Sequence, residues 1–300
     1  MSPQWTGVGT ALVTPFTAAG AVDEAAVQRL ARRQIDAGVH FLSPCGTTGE
    51  APTLSDDEKV RVVELVVEEA EGRIPILAGA GGYSTREVIG LVDRMERAGA
   101  DGILSVTPYY NKPTPTGLFE HYKAISESTA LPIIVYNVPG RTGVNVDVLT
   151  LARIAELKNI VAVKEASGNL EQIAEICATL PESFMVLAGD DELVMRVLAL
   201  GGHGVISVIA NEVPADMVQI VNKVQENDFE FAQKLYDRLL PLMQVNFLES
   251  NPVPVKAAMA AMGLMNEVYR LPMTSPQTKT RDSIIRILRD LKLNTETANT

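Results

Sequence analysis

The sequence predicts an α/β fold of the (β/α)8 TIM-barrel type, extended by C-terminal helices. Eight short β-rich apolar runs recur, roughly every 20 to 35 residues. Stretches with helical spacing fill the intervals, and several begin with recognisable caps. No run leads into a complete G-x-G-x-x-G turn, which an open dinucleotide-binding sheet would carry.

The runs are GTALVTPF from Gly9, VHFLSPC from Val39, IPILAGA from Ile74, GILSVTPYY from Gly102, LPIIVYNV from Leu131, NIVAVKEA from Asn159, FMVLAGD from Phe184 and GVISVIA from Gly204. Their apolar residues are continuous instead of alternating, which marks strands covered on both faces and therefore a parallel sheet. Between them, SDDE (Ser55 to Glu58) and STRE (Ser84 to Glu87) fit the capping box, and Gly38, Gly72 and Gly99 fit helix stops. GVGTAL at 7–12 and GAGGYS at 79–84 each lack the third glycine of the dinucleotide turn, and no P-loop lysine occurs. Eight strand-helix units close into a barrel over residues 1–225, and residues 226–300 form a helical extension ending in a polar tail, NTETANT, expected to fray.

A chain of 300 residues buries about three quarters of its unfolded surface, so its core needs neither metal nor disulfide. Cys45 and Cys177 have no C-x-x-C spacing and read as reduced thiols. The start MSPQWTGVGT is unlike a signal peptide, and no run approaches about 18 uninterrupted apolar residues, so a cytoplasmic protein with no membrane partner is expected. A net charge of −11 with no basic block argues against nucleic-acid binding. His40, His121 and His203 are unclustered, so no metal site is expected and each reads as structural or exposed.

In a barrel the chemistry gathers where strands end at the C-terminal mouth. Lys164 ends the sixth run. Burial there disfavours its ammonium and would make the amine a nucleophile able to form an imine with a ketone; the bland alternative is a lysine snorkelling to solvent. Gly46, Thr47 and Thr48 form a turn whose amides and hydroxyls suit a carboxylate, or simply a capped glycine turn. Tyr136 is a proton carrier or an aromatic plug, and Arg141 a carboxylate clamp or a surface charge. Tyr109 and Tyr110 suit packing at the mouth or at a subunit interface. Lys112 lies on an open loop, Lys256 in NPVPVK suggests scaffolding, Cys45 suggests buried filler, and Asp190 and Asp191 suggest helix capping.

GTTGE, TPYYNKP, YNVPGRTG, VAVKEASGN, GDD, GGHGVISV and NPVPVK occur in the order and spacing of the dihydrodipicolinate synthase family, which the chain resembles from about Gly7 to Pro272. The resemblance implies a Schiff-base aldolase without cofactor or metal. Lys164 would condense with pyruvate, and the resulting enamine would attack L-aspartate 4-semialdehyde to give 4-hydroxy-tetrahydrodipicolinate, on the route to diaminopimelate and lysine. It implies that Thr47 and Thr48 hold the pyruvate carboxylate and that Thr48 relays protons between Tyr136 and Tyr110, the latter supplied across a dimer interface. Arg141 would bind the aldehyde substrate's carboxylate, and Gly189 and Ile206 would line the pyruvate pocket.

A homo-oligomer, dimer or tetramer, is implied as well. Asp56 and Lys59 stand where lysine-sensitive members carry histidines, and Tyr83 replaces an asparagine, so weak or absent inhibition by lysine is expected. Two other readings remain open at this stage: a retro-aldolase releasing pyruvate from a 2-keto-3-deoxy sugar acid or sialic acid, and a keto-acid-binding barrel without turnover. The Arg141 of GRTG, absent from sialic acid lyases, favours the synthase over the retro-aldolase.

Overall fold

The structure, a computed structural model, describes residues 5–293; the NTETANT tail lies outside the described residues. Eight parallel strands form one sheet: β1 (Gly7–Ala11), β2 (Phe41–Ser43), β3 (Leu77–Gly79), β4 (Gly102–Val106), β5 (Ile133–Asn137), β6 (Ile160–Glu165), β7 (Met185–Ala188) and β8 (Gly204–Ser207). Its hydrogen-bonded order is β2-β1-β8-β7-β6-β5-β4-β3. The remaining edges, β2 and β3, meet through a Leu42–Ile76 bridge, with Leu42 N–H donating to Pro75 O at 3.1 Å and Gly79 N–H to Pro44 O at 3.0 Å. The barrel is therefore closed, with its thinnest seam between its two shortest strands.

The strands are shorter than the apolar runs that announce them. Beyond Ala11 the first run leaves the sheet, because Val13 N–H finds the Asn211 side chain at 3.1 Å instead of a neighbouring strand. Helices α1 (Glu24–Asp36), α2 (Asp56–Ala70), α3 (Thr85–Arg97), α4 (Pro115–Ser128), α5 (Val148–Ala155), α6 (Leu170–Thr179), α7 (Val194–Ala199) and α8 (Pro214–Gln225) surround the barrel. Ser55 makes both halves of a capping box with Glu58. Ser84 makes only the forward half, accepting from Glu87 N–H at 3.5 Å.

Two layers of apolar packing result. Val8, Leu42, Val135, Val163 and Val205 face the helices, while Phe41, Leu77, Leu104, Ile134, Ala162, Leu187 and Ile206 fill the interior. Trp5 caps this inner layer, edge-on to Phe41 at 5.4 Å between centroids. A Cβ on Gly102 would lie 2.5 Å from its indole, so glycine is what admits it. His40 and His203 brace strands as the structural reading expected: Nδ1 of each accepts a backbone N–H, from Val8 and Val186, at 3.1 Å.

Three more helices, α9 (Phe229–Val245), α10 (Val253–Ala261) and α11 (Thr278–Asp290), follow the barrel. They are bolted to its mouth. Lys256 of α10 is ion-paired with Glu50 and donates to Thr14 O, and Arg270 grips both carboxylate oxygens of Glu58 at 2.8 and 2.5 Å.

Candidate active site

The strand register sets the central pair of the site. β5 and β6 run in parallel with Tyr136 opposite Lys164, and a one-residue register shift leaves Val161 without a partner on β5. Beyond that shift Val163 packs outward, whereas Ala162 belongs to the interior layer, and Lys164 follows it with the same parity. Behind the pair, Glu165 accepts from Asn137 Nδ2 at 2.9 Å and from Ser167 N–H at 2.7 Å, so the residue after each member of the pair is tied down.

Lys164 is 5 % exposed, and its Nζ lies 4.4 Å from the centroid of the Tyr136 ring. Among the described residues it has no hydrogen-bond or ion-pair partner. A cation over an aromatic face gains some attraction, but much less than a carboxylate would supply. Gly189 makes room beside it: a Cβ there would fall 3.2 Å from Lys164 Cε and 2.6 Å from Ala166 Cβ. Ile206 closes the interior below, fully buried.

A cavity of about 270 Å³ opens at the mouth between the loops after β2, β3, β4 and β5. Thr47, Tyr109, Tyr136 and Arg141 line it, together with Cys45 and Lys59. Lys164, Thr48, Gly189 and Ile206 do not. Tyr136 is the link, since it lines the cavity and also packs on the Lys164 amine.

Thr48 is 2 % exposed, and its hydroxyl accepts from Asn251 Nδ2 at 2.9 Å. Among the described residues it has no hydrogen bond to Tyr136, so the relay implied by the resemblance is not assembled within one chain. Arg141 lies within the single helical turn Pro139–Thr142 and donates to Asn251 O at 3.2 Å. Tyr110 is 92 % exposed with a φ of +65°, and stands outside its own chain's cavity.

The weaker candidates resolve individually. Lys112 is exposed, and Lys256 is a buried structural cation. Cys45 is filler, its thiol pushed by burial up to about 12 and thus protonated. Asp190 caps the turn Asp191–Leu193, as expected. Asp191 does not cap its own turn; its Oδ2 accepts from Val208 and Ile209 N–H at 2.9 and 3.0 Å, pinning the loop after β8. Burial raises its carboxyl to about 6.

The Dihydrodipicolinate synthetase family model matches residues 4–291. The chain belongs to that family. It is 48% identical over 288 residues to the 4-hydroxy-tetrahydrodipicolinate synthase of Chlorobium phaeobacteroides, covering 96% of this chain and 97% of that one. It is 49% identical over 282 residues to the synthase of Koribacter versatilis, covering 94% of each. Among solved structures, dihydrodipicolinate synthase from Aquifex aeolicus superposes with a TM-score of 0.95 at 41% identity, covering 98% of this chain and 100% of that one. No helix among the described residues of this family member is long and apolar enough to cross a membrane.

Sequence reasoning missed Asn251 and Glu50. The signal for Asn251 was present in NPVPVK, a polar residue placed just before two prolines and a buried lysine. Nothing local marks Glu50, whose partners Lys256 and Arg270 lie more than two hundred residues away.

Proposed function

We propose that the protein is a lyase of the class I aldolase type, a 4-hydroxy-tetrahydrodipicolinate synthase that joins pyruvate to L-aspartate 4-semialdehyde. The observation that carries this reading is the unpartnered Lys164 amine, buried against Tyr136, in a chain close to half identical to proteins bearing that name. Lys164 attacks the pyruvate ketone, and loss of water leaves a protonated imine. That cation withdraws electrons from the adjacent methyl group, which surrenders a proton to form an enamine. The enamine carbon bonds to the aldehyde carbon, and the substrate's amine then displaces Lys164 as the ring closes.

Residue roles follow from position. Tyr136, against the amine, serves as the acid and base at the imine. Thr47 and Thr48 hold the pyruvate carboxylate, Gly189 and Ile206 bound the small pocket, and Arg141 takes the carboxylate of the aldehyde. Tyr110, exposed on a strained loop, completes the relay through Thr48 in a second copy of this chain, which makes the working protein a homo-oligomer. The barrel domain, residues 1–225, carries the chemistry, and the extension that begins at residue 226 braces its mouth through Lys256 and Arg270, in a protein of the cytoplasm. The retro-aldolase and the binding-only barrel are not favoured, since the curated relatives are named synthases.

The test is borohydride reduction in the presence of pyruvate, followed by peptide mass mapping. The expected adduct is on Lys164 alone. Labelling elsewhere, or none, would overturn the assignment.

A further inference from the structure

We propose that Asn251, supplied by the C-terminal extension, is a positioning residue that sets Thr48 as a hydrogen-bond donor toward pyruvate. The proposal rests on the pyruvate reading above. Asn251 is 5 % exposed, and its Nδ2 donates to Thr48 Oγ1 at 2.9 Å. A threonine hydroxyl has one proton to give and lone pairs to receive. With the Asn251 amide occupying the acceptor side, the Thr48 proton is left free for another oxygen, and a carboxylate in the pocket is the strongest acceptor available.

Two further features put Asn251 in the site and not merely under it. Its carbonyl oxygen accepts from Arg141 Nη2 at 3.2 Å, so one residue touches the groups assigned to both substrates. Its Oδ1 is buried and unpartnered among the described residues, an unfavourable state for an amide kept only for packing. The residue is also rigidly mounted. Tyr269 Oη donates to Val253 O at 3.1 Å, and the Lys256 to Glu50 pair ties the start of α10 to the loop carrying Thr48.

The experiment is borohydride trapping of Lys164 at graded pyruvate concentrations, for the full chain and for Asn251→Ala and Asn251→Asp, each also combined with Thr48→Val. Thermal melting identifies the variants that fold. In Asn251→Ala the pyruvate concentration for half-maximal labelling rises about tenfold, equivalent to one hydrogen bond of roughly 1.4 kcal/mol, while maximal labelling is unchanged. Asn251→Asp keeps the shape but captures the Thr48 proton for itself, so its half-saturation rises at least as far. In the Thr48→Val background the Asn251→Ala change adds nothing.

Native half-saturation in either Asn251 variant overturns the proposal, as does a tenfold Asn251→Ala penalty that persists in the Thr48→Val background. Should the alanine variant fail to fold, the isosteric aspartate variant decides. Absence of any adduct in the unmodified protein would overturn the Lys164 reading, a result distinct from either of these.

Discussion

Lys164 and Lys256 are both withdrawn from solvent, at 5 % and 0 % exposure, yet their surroundings are opposite. Lys256 is ion-paired with Glu50, donates to Thr14 O at 3.1 Å, and lies 4.3 and 5.4 Å from the ring centroids of Phe16 and Tyr269. Lys164 has one aromatic face and no carboxylate. Burial alone therefore does not mark a nucleophile; what separates the two amines is that Lys256 is engaged by a carboxylate and a carbonyl, whereas among the described residues Lys164 has neither and is left to a covalent partner.

The comparison breaks most decisively at Lys164. Lys164→Arg is expected to reduce turnover by about a thousandfold or more, because a guanidinium cannot form the imine, with melting unchanged to within about 3 °C. Turnover near the native rate would end the comparison. Lys256→Met inverts the pattern: stability falls by roughly 3–5 kcal/mol in urea, since Glu50 is left buried and uncompensated. Adding Glu50→Gln should restore most of that loss. A single-variant cost below about 1 kcal/mol would show that the pair is not insulated as its burial indicates.

His121 supplies an intermediate case, a buried base with one partner, Thr85 Oγ1 at 2.8 Å. Burial lowers it to about 4, below its unfolded value near 6.5, so the folded state favours the neutral ring. Its contribution to stability is complete above about pH 6.5 and is lost as pH falls toward 4, by up to about 3 kcal/mol. Urea unfolding of His121→Gln should fall less steeply with acid over that window; a parallel profile would refute the assignment.

The smallest effect concerns Lys59, a third lysine, paired with Asp56 at 2.9 Å and lining the mouth cavity. Its ammonium opposes a second cation there. Free L-lysine at about 1 mM, a concentration corresponding to roughly 4 kcal/mol of binding, should leave more than half of turnover. Half-inhibition below that concentration would sink this expectation.

Much of this was legible in the chain because parallel strands advertise themselves as unbroken apolar runs, and a barrel puts chemistry at their ends. Lys164, Tyr136, Thr47 and Arg141 were singled out as candidates that way. What escaped was tertiary: Asn251 meets Thr48 across 203 positions, and Glu50 meets Lys256 across 206. Strand ends were also overrun, as beyond Ala11, since composition cannot reveal that a side-chain amide has taken the place of the next strand. Tyr110 could not be placed in a site at all from one copy of the chain.

The single tryptophan has a practical corollary. Because Trp5 plugs the floor against Phe41 and is wholly shielded, intrinsic emission samples the end of the molecule remote from Lys164. Ligand titrations followed by indole fluorescence should be nearly silent, whereas denaturation should give a large red shift, making this optical signal a reporter of collapse of the stave assembly and a poor one of occupancy.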